Sequence, residues 1–521
     1  MRKKLALPVL LLLLVSCSEN GTLEIQPESP IAKVQEPEGM MVLGEKLNNP
    51  YSVVNMRKAY AALSPQTKSG ISDDDISATH RYVKFIPKTE DELSLLKTDS
   101  TLILYQYPLD YEIIQYGSYR DPDIPDGQPT PLYCSVPIDK VLPDGVETVI
   151  LEDLYIPDEY GVETRALSSL PESFVDALVE KSFILTGNED DIVPQTKGKS
   201  KWVPQGSVRY YDSVKGQELP IEGLQIRCHR WFTTYTAYTK NDGTFKCGSS
   251  QTFKNPANYS IVYERYDFEI RDGFLSTAKY DGPKDDGAWN VVIKKDDKTQ
   301  IYYSTIFRAA YRYYYGNIYG ISRPPQNDIF KTQLKIKASK EDYDGARGFH
   351  KPEKRFAGLG SQVQIYTLNR RIDETYATAI HELSHAAHWG VNKSDYNNIS
   401  EFVKESWARG VEVVLSRSVY PCYNPQFIAT INYSGIVLDL LDKAGIKKEC
   451  RYFYDFETGY IDYYATTKNY IDNVSGYTLL EIECSLNGVR NANGWKNNLK
   501  NLFNNETENY LDDTFSFWSI K

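Results

Sequence analysis

The sequence predicts a multidomain α+β protein, and three observations carry that expectation. A chain of 521 residues exceeds what one hydrophobic core supports, and calls for about three domains. Short β-rich runs with turn signals cluster in 203–272, whereas longer helical windows lie on either side of them. No segment, the N-terminal run Leu5–Val15 included, is apolar for long enough to span a bilayer.

The first residues read Arg2-Lys3-Lys4, then Leu5–Val15, then Ser16-Cys17. A basic start followed by an apolar run too short for a resident helix is an export signal. Leu14-Val15-Ser16-Cys17 resembles the lipobox of bacterial lipoproteins. That resemblance implies a signal peptide over 1–17, acylation of Cys17, and a body tethered to the cell envelope by lipid, on the outer membrane or the cell surface. Residues 18–48 are polar and proline-rich and read as a flexible tether. Six cysteines remain after Cys17. An exported protein permits disulfides, and Cys228 with Cys247 could pair or stay as buried thiols.

Residues 49–200 form a mixed α/β region. It has a helix at Val53–Leu63, strands at Tyr82–Ile86 and Thr101–Tyr107, a helix at Glu172–Lys181, and no metal-ligand cluster or phosphate loop. The next region, 203–282, is expected to be all β. Its strands fall at Ser207–Tyr211, Leu224–His229, Thr234–Thr239, Thr244–Lys246 and Tyr259–Tyr266, with Lys240-Asn241-Asp242-Gly243 as a hairpin turn. The order of strand, Pro220-Ile221-Glu222-Gly223-Leu224, strand, Thr239-x-x-Asp242-Gly243-x-Phe245 resembles the carboxypeptidase-regulatory-like β-sandwich. The resemblance implies an accessory module.

The third region, 285–521, carries the chemistry. A strand at Asn290–Lys294 leads into an amphipathic helix at Tyr302–Tyr315, and strands follow at Gln333–Ala338 and Gln362–Thr367. Then comes Thr375–Gly390, TYATAIHELSHAAHWG, which holds three of the chain's six histidines and spells H-E-x-x-H at His381, Glu382 and His385. The run Tyr376–Ala387 is alanine-rich and free of proline and glycine, with Gly390 placed as its C-cap. On a helix, residues four apart share a face, so both imidazoles can grip one ion, and Glu382 can take a proton from water beside it. A catalytic zinc site needs a third protein ligand. Glu405 lies in the amphipathic helix Ser400–Leu415 beside Val403, Trp407 and Val411; Glu401 is its rival one turn earlier. His388 is expected to be a second-layer or surface residue.

H-E-x-x-H followed twenty residues later by Glu405, in Glu405-Ser406-Trp407-Ala408-x-x-x-Glu412, resembles the gluzincin metallopeptidases. That resemblance implies a zincin-like catalytic domain over 285–521, Zn2+ as cofactor on His381, His385 and Glu405, and Glu382 as general base. It further implies that the strand just before the motif helix forms the lip of the cleft, with Gly358 and Gly360 easing close approach of an extended peptide. The chain departs from the pattern in two ways. Arg409 stands where the thermolysin-like group places an aspartate that orients a histidine, and no histidine follows His388. A tyrosine must then stabilise the oxyanion. Tyr396, eleven residues past His385, has the spacing; Tyr452, Tyr454, Tyr460 and Tyr463 are others. The residues after Tyr420 are expected to close the cleft from below.

The net charge of −11 excludes a nucleic-acid partner. The reading is a zinc peptidase, an endopeptidase because the amine-binding Gly-x-Met-Glu-Asn element of aminopeptidases is missing, acting on peptide or protein substrates. Two alternatives stay open: a non-catalytic adhesin or glycan-binding lipoprotein, for which the 41 tyrosines speak, and a peptidase selective for glycoproteins. Oligomeric state is not readable from the sequence.

Overall fold

The computed structural model describes residues 40–521 apart from 64–75, 118, 126–127, 158–170, 193–199, 273–275, 327–332, 341–346, 352–360, 394, 426–427, 430–432, 453–465 and 520–521. Cys17, most of the tether, Gly358, Gly360, Tyr454, Tyr460 and Tyr463 lie outside the described residues. No described helix is long and apolar enough to cross a membrane.

Residues 39–521 form one compact unit of mixed α+β, multidomain architecture. Its N-terminal layer runs β1 (Val42–Lys46), α1 (Val53–Leu63), β2 (His80–Ile86), α2 (Glu90–Thr98), β3 (Tyr111–Gln115), β4 (Leu132–Pro137), β5 (Glu147–Leu154) and α3 (Glu172–Leu185). The order β4-β2-β5 makes an antiparallel sheet, and β1 pairs with β3. Residues 101–107, expected as a strand, make only an isolated bridge from Tyr105 to Tyr133. Side-chain packing of Leu102 and Tyr105, both buried, replaces ladder pairing there.

The middle of the chain runs β6 (Gln205–Asp212), β7 (Gln217–Pro220), β8 (Gln225–Arg230), β9 (Thr233–Tyr238), β10 (Thr244–Lys246), β11 (Ala257–Val262), β12 (Phe268–Asp272), β13 (Ser276–Thr277), β14 (Lys279–Asp285) and β15 (Trp289–Ile293). Two four-stranded sheets result: β10-β6-β15 with β7 on β6, and β14-β11-β8-β9. Aromatic side chains from the two meet, Tyr259 lying 5.5 Å from Trp289 and 6.1 Å from Phe245. The turn at Lys240–Gly243 forms, closed by Gly243 N–H donating to Lys240 C=O. It does not close a hairpin within one sheet, however. β9 belongs to one sheet and β10 to the other, so the turn carries the chain between them. Gly243 is needed there: its φ is +82°, and a Cβ would meet Val208 O at 2.6 Å. Cys228 and Cys247 stand as separate buried thiols.

The C-terminal part runs α4 (Lys298–Tyr315), β16 (Leu334–Ser339), β17 (Gly348–His350), β18 (Val363–Tyr366), α5 (Ile372–Asn392), α6 (Glu401–Arg417), β19 (Ile428–Ala429), α7 (Ile436–Leu441), β20 (Ile446–Tyr452), β21 (Thr466–Asp472), α8 (Leu479–Cys484), α9 (Ala492–Leu502) and α10 (Leu511–Trp518). The sheets interleave across the boundary expected near 282–285. β15, read as the first strand of the C-terminal region, pairs in parallel with β6. β12, inside the expected β module, instead joins the five-stranded sheet β13-β12-β16-β18-β17 beneath α4 and α5. One buried core accordingly runs from Val208 through Phe307 and Leu383 to Trp518. The N-terminal layer is pinned by a wedge: Trp231 and Phe232, at the tip between β8 and β9, enter its core against Phe183 and Tyr82.

Helix α6 crosses α7 at Gly410, where a Cβ would come within 2.3 Å of Val437. Gly410→Ala should therefore force the helices apart and destabilise the protein by about 1–3 kcal/mol, seen as a lower thermal-melt midpoint. An unchanged midpoint would contradict this packing.

Candidate metal centre

Helix α5 starts at Arg371, whose backbone N–H donates to Glu374, and Asp373 and Glu374 in its first turn suit the positive end of the helix dipole. Its body is lined by Ala377, Ala379, Ile380, Leu383, Ala386 and Ala387, each at most 1% exposed. These small and apolar residues let α4 and α6 pack closely, which buries the motif. Gly390 is not the cap: α5 continues to Asn392, and Gly390 lies inside it against Pro325.

His381 and His385 stand one turn apart with their rings nearly perpendicular, at 81°. Both Nε2 atoms reach a common point, 3.1 Å apart. Glu405 on α6 closes the triangle, its carboxylate oxygens lying 3.0 Å from His381 Nε2 and 3.3 Å from His385 Nε2. A tetrahedral zinc ion with bonds of about 2.0–2.1 Å keeps its ligand atoms about 3.3–3.4 Å apart, so the donor set fits such an ion in both chemistry and spacing. Glu401 does not join it. That side chain is 57% exposed and paired with Lys404.

The layer behind the triangle is fully engaged. Glu412, seven residues after Glu405, accepts from His381 Nδ1 at 2.9 Å through one oxygen; the other takes Arg409 at 2.6 Å and the Tyr423 hydroxyl. Glu412 thus orients the His381 imidazole, and Arg409 compensates its charge. Burial alone would lower the His381 pKa, but the bonds to Glu405 and Glu412 outweigh it and hold it up to about 10. Burial would likewise raise Glu405, yet His385 and His381 keep it well below the usual range. The two carboxylates therefore call for positive charge between them, which a proton or a divalent cation supplies.

Tyr396 places its hydroxyl 3.3 Å from His385 Nδ1. That is the ring nitrogen turned away from the triangle, so Tyr396 steadies the imidazole. A second tyrosine, Tyr433, hydrogen-bonds Glu405 and lies 6.1 Å from the His381 ring. Its sequence setting between α6 and α7 carries no periodic signal that would have singled it out. Tyr452 is the last residue of β20. His388 is buried edge-on to Tyr396, and burial lowers its pKa to about 3, which keeps it neutral.

Glu382 is 5% exposed, and burial pushes its carboxyl up to about 7. It abuts the backbone of β17, where a Cβ on Gly348 would come within 3.0 Å of Glu382 Cγ. Strand β18 was expected as the free lip; β17 covers it in antiparallel register and is itself the sheet edge. By strand alternation His350 shares the Gly348 face, and its ring lies 6.2 Å from Trp389 on α5. Only three residues long and bounded by 341–346 and 352–360, this strand left too short a pattern to read.

No family model matches the chain, and no curated protein matches it. Among solved structures, an (S)-allantoin synthase aligns at 17% identity over 25% of this chain and 55% of its own length, with a TM-score of 0.13. The chain thus spans about half of that structure's length, and a likeness so slight carries no argument about fold or activity.

Glu412→Ala should weaken zinc binding about 10–100-fold, measured by chelator competition, because His381 loses the carboxylate that fixes its ring. Parent-like affinity would show that Glu412 has no orienting role.

Proposed function

We propose that the protein is a zinc-dependent endopeptidase of gluzincin type, with a zincin-like domain over 285–521 and a carboxypeptidase-regulatory-like β-sandwich before it, carried on the bacterial envelope by a lipid on Cys17. The observation that supports this best is the convergence of His381 Nε2, His385 Nε2 and Glu405 at 3.0–3.3 Å, with Glu382 on the same helix. A zinc ion held by these three residues would polarise a peptide carbonyl and lower the pKa of water. The chain's own residues supply the rest.

Glu382, with a carboxyl raised to about 7 by burial, is poised to take a proton from the attacking water and hand it to the leaving amine. Glu412, Arg409 and Tyr423 hold the His381 ring still, and Tyr396 does the same for His385. We assign the oxyanion role to the Tyr433 hydroxyl, which shares Glu405 and can turn to a developing negative charge. Half-buried β17, last in its sheet among the described residues, would offer backbone groups to an extended peptide beside Glu382.

The test couples metal analysis to a digest of a proteome-derived peptide library. The protein should hold one zinc and cleave within peptides, and chelation should stop cleavage until zinc is restored. Glu382→Gln should lose cleavage by at least about 100-fold, the lower range for a general base, with zinc content unchanged. An intact zinc site that cleaves nothing points to the adhesin reading; a protein without zinc contradicts the proposal outright.

A further inference from the structure

A cavity of about 250 Å³ that shares no lining residue with the metal centre opens where the N-terminal layer, the β14-β11-β8-β9 sheet and the residue before β16 meet. Its wall carries five cationic side chains, Lys97, Arg227, Arg265, Arg271 and Lys279, against two carboxylates, Asp99 and Glu264. Most of this charge is already compensated. Asp99 holds Lys140 at 2.6 Å, and the Lys97 amine sits 2.5 Å from Glu269 and 3.3 Å from Glu264. Arg271 pairs with Glu269 at 2.7 Å.

Two cations remain. Among the described residues, neither Lys279 nor Arg265 has a carboxylate within ion-pair distance. The Arg265 guanidinium carbon lies over the Tyr238 ring, 4.1 Å from its centroid, with a further ring, Tyr315, at 5.3 Å. Its Nε is buried with no hydrogen-bond partner. The Lys279 amine sits 5.1 Å over Tyr107. On its other side Asp272 and Asp281 line a smaller neighbouring cavity. Burial, with nearby Arg227 adding to it, lowers the Lys279 pKa to about 8, and the charges of Asp281 and Glu264 only partly offset this.

We propose that this cavity is a binding site for a monosaccharide-sized hydroxylated carboxylate, a ligand of the uronic-acid type, whose carboxylate pairs with Lys279 and Arg265. The other walls decide the class. Leu93, Leu102 and Leu132 form an apolar side that suits the face of a ring and gives nothing to a bare inorganic anion. Gln225 and Thr130 offer side-chain partners for hydroxyls. Tyr238 and Tyr266, 48% and 49% exposed, stand at the rim as stacking surfaces. The volume holds one ring rather than a chain, being below the roughly 300–1,000 Å³ of sites for larger ligands. The site would give the N-terminal layer a role in substrate or surface recognition that does not depend on the metal centre.

Calorimetric titration of the whole protein with glucuronate, glucose and sulfate tests this. Glucuronate should bind, with glucose and sulfate each at least 10-fold weaker. Lys279→Met should weaken glucuronate at least 10-fold, and Lys279→Arg should keep most of the affinity. Thermal midpoint and zinc content of both variants should match the parent, which separates loss of the site from loss of the fold. The proposal is overturned if none of the probes titrates at millimolar concentration, if glucose or sulfate matches glucuronate, or if well-folded Lys279→Met binds as the parent does. Zinc loss alone leaves this cavity intact, so its outcome is separate from that of the peptidase.

Discussion

Two carboxylates, Glu405 and Glu412, are held on α6 facing α5 in surroundings made of alanine, valine and tryptophan. Leaving one of them without its partner would cost about 3–5 kcal/mol, so their compensation constrains everything around them. Glu412 is satisfied by His381, Arg409 and Tyr423, and Glu405 by the two imidazoles and Tyr433. Those bonds fix both rings, and the fixed rings define the point at which a cation fits. The close approach of α6 to α7 at Gly410 and the burial of Trp407 hold the second helix at the depth this requires.

Much of this was legible in the sequence because it is local. H-E-x-x-H needs only the helical repeat to place two rings together, and Glu405 stands out as a carboxylate on an apolar helix face. The structure brings those atoms to one point. What the sequence hid is non-local. Arg409 reads in the sequence as a departure from the gluzincin pattern, yet it is the counter-ion of Glu412, which holds His381 Nδ1. Strand β17, last in its sheet among the described residues, is three residues long, too short for periodicity to reveal, so the sequence points to β18 as the lip.

The sheets show the same limit. Strand existence followed from alternation at β6, β8, β9 and β10, but partner choice did not. β12 and β15 exchange places across the expected boundary because pairing depends on which faces can be buried together, and one core serves both regions. The wedge of Trp231 and Phe232 ties the N-terminal layer into the same body. With the layers locked in this way, the cationic cavity between them is a built feature of the assembled fold.

The central claim is that two imidazoles and one carboxylate converge to hold a metal ion. X-ray absorption spectroscopy of the zinc-loaded protein tests it most directly. The account predicts a shell of nitrogen and oxygen at about 2.0–2.1 Å with imidazole outer-shell scattering, lost in His385→Ala. A sulfur shell at about 2.3 Å, or a zinc spectrum unchanged by that substitution, would contradict it.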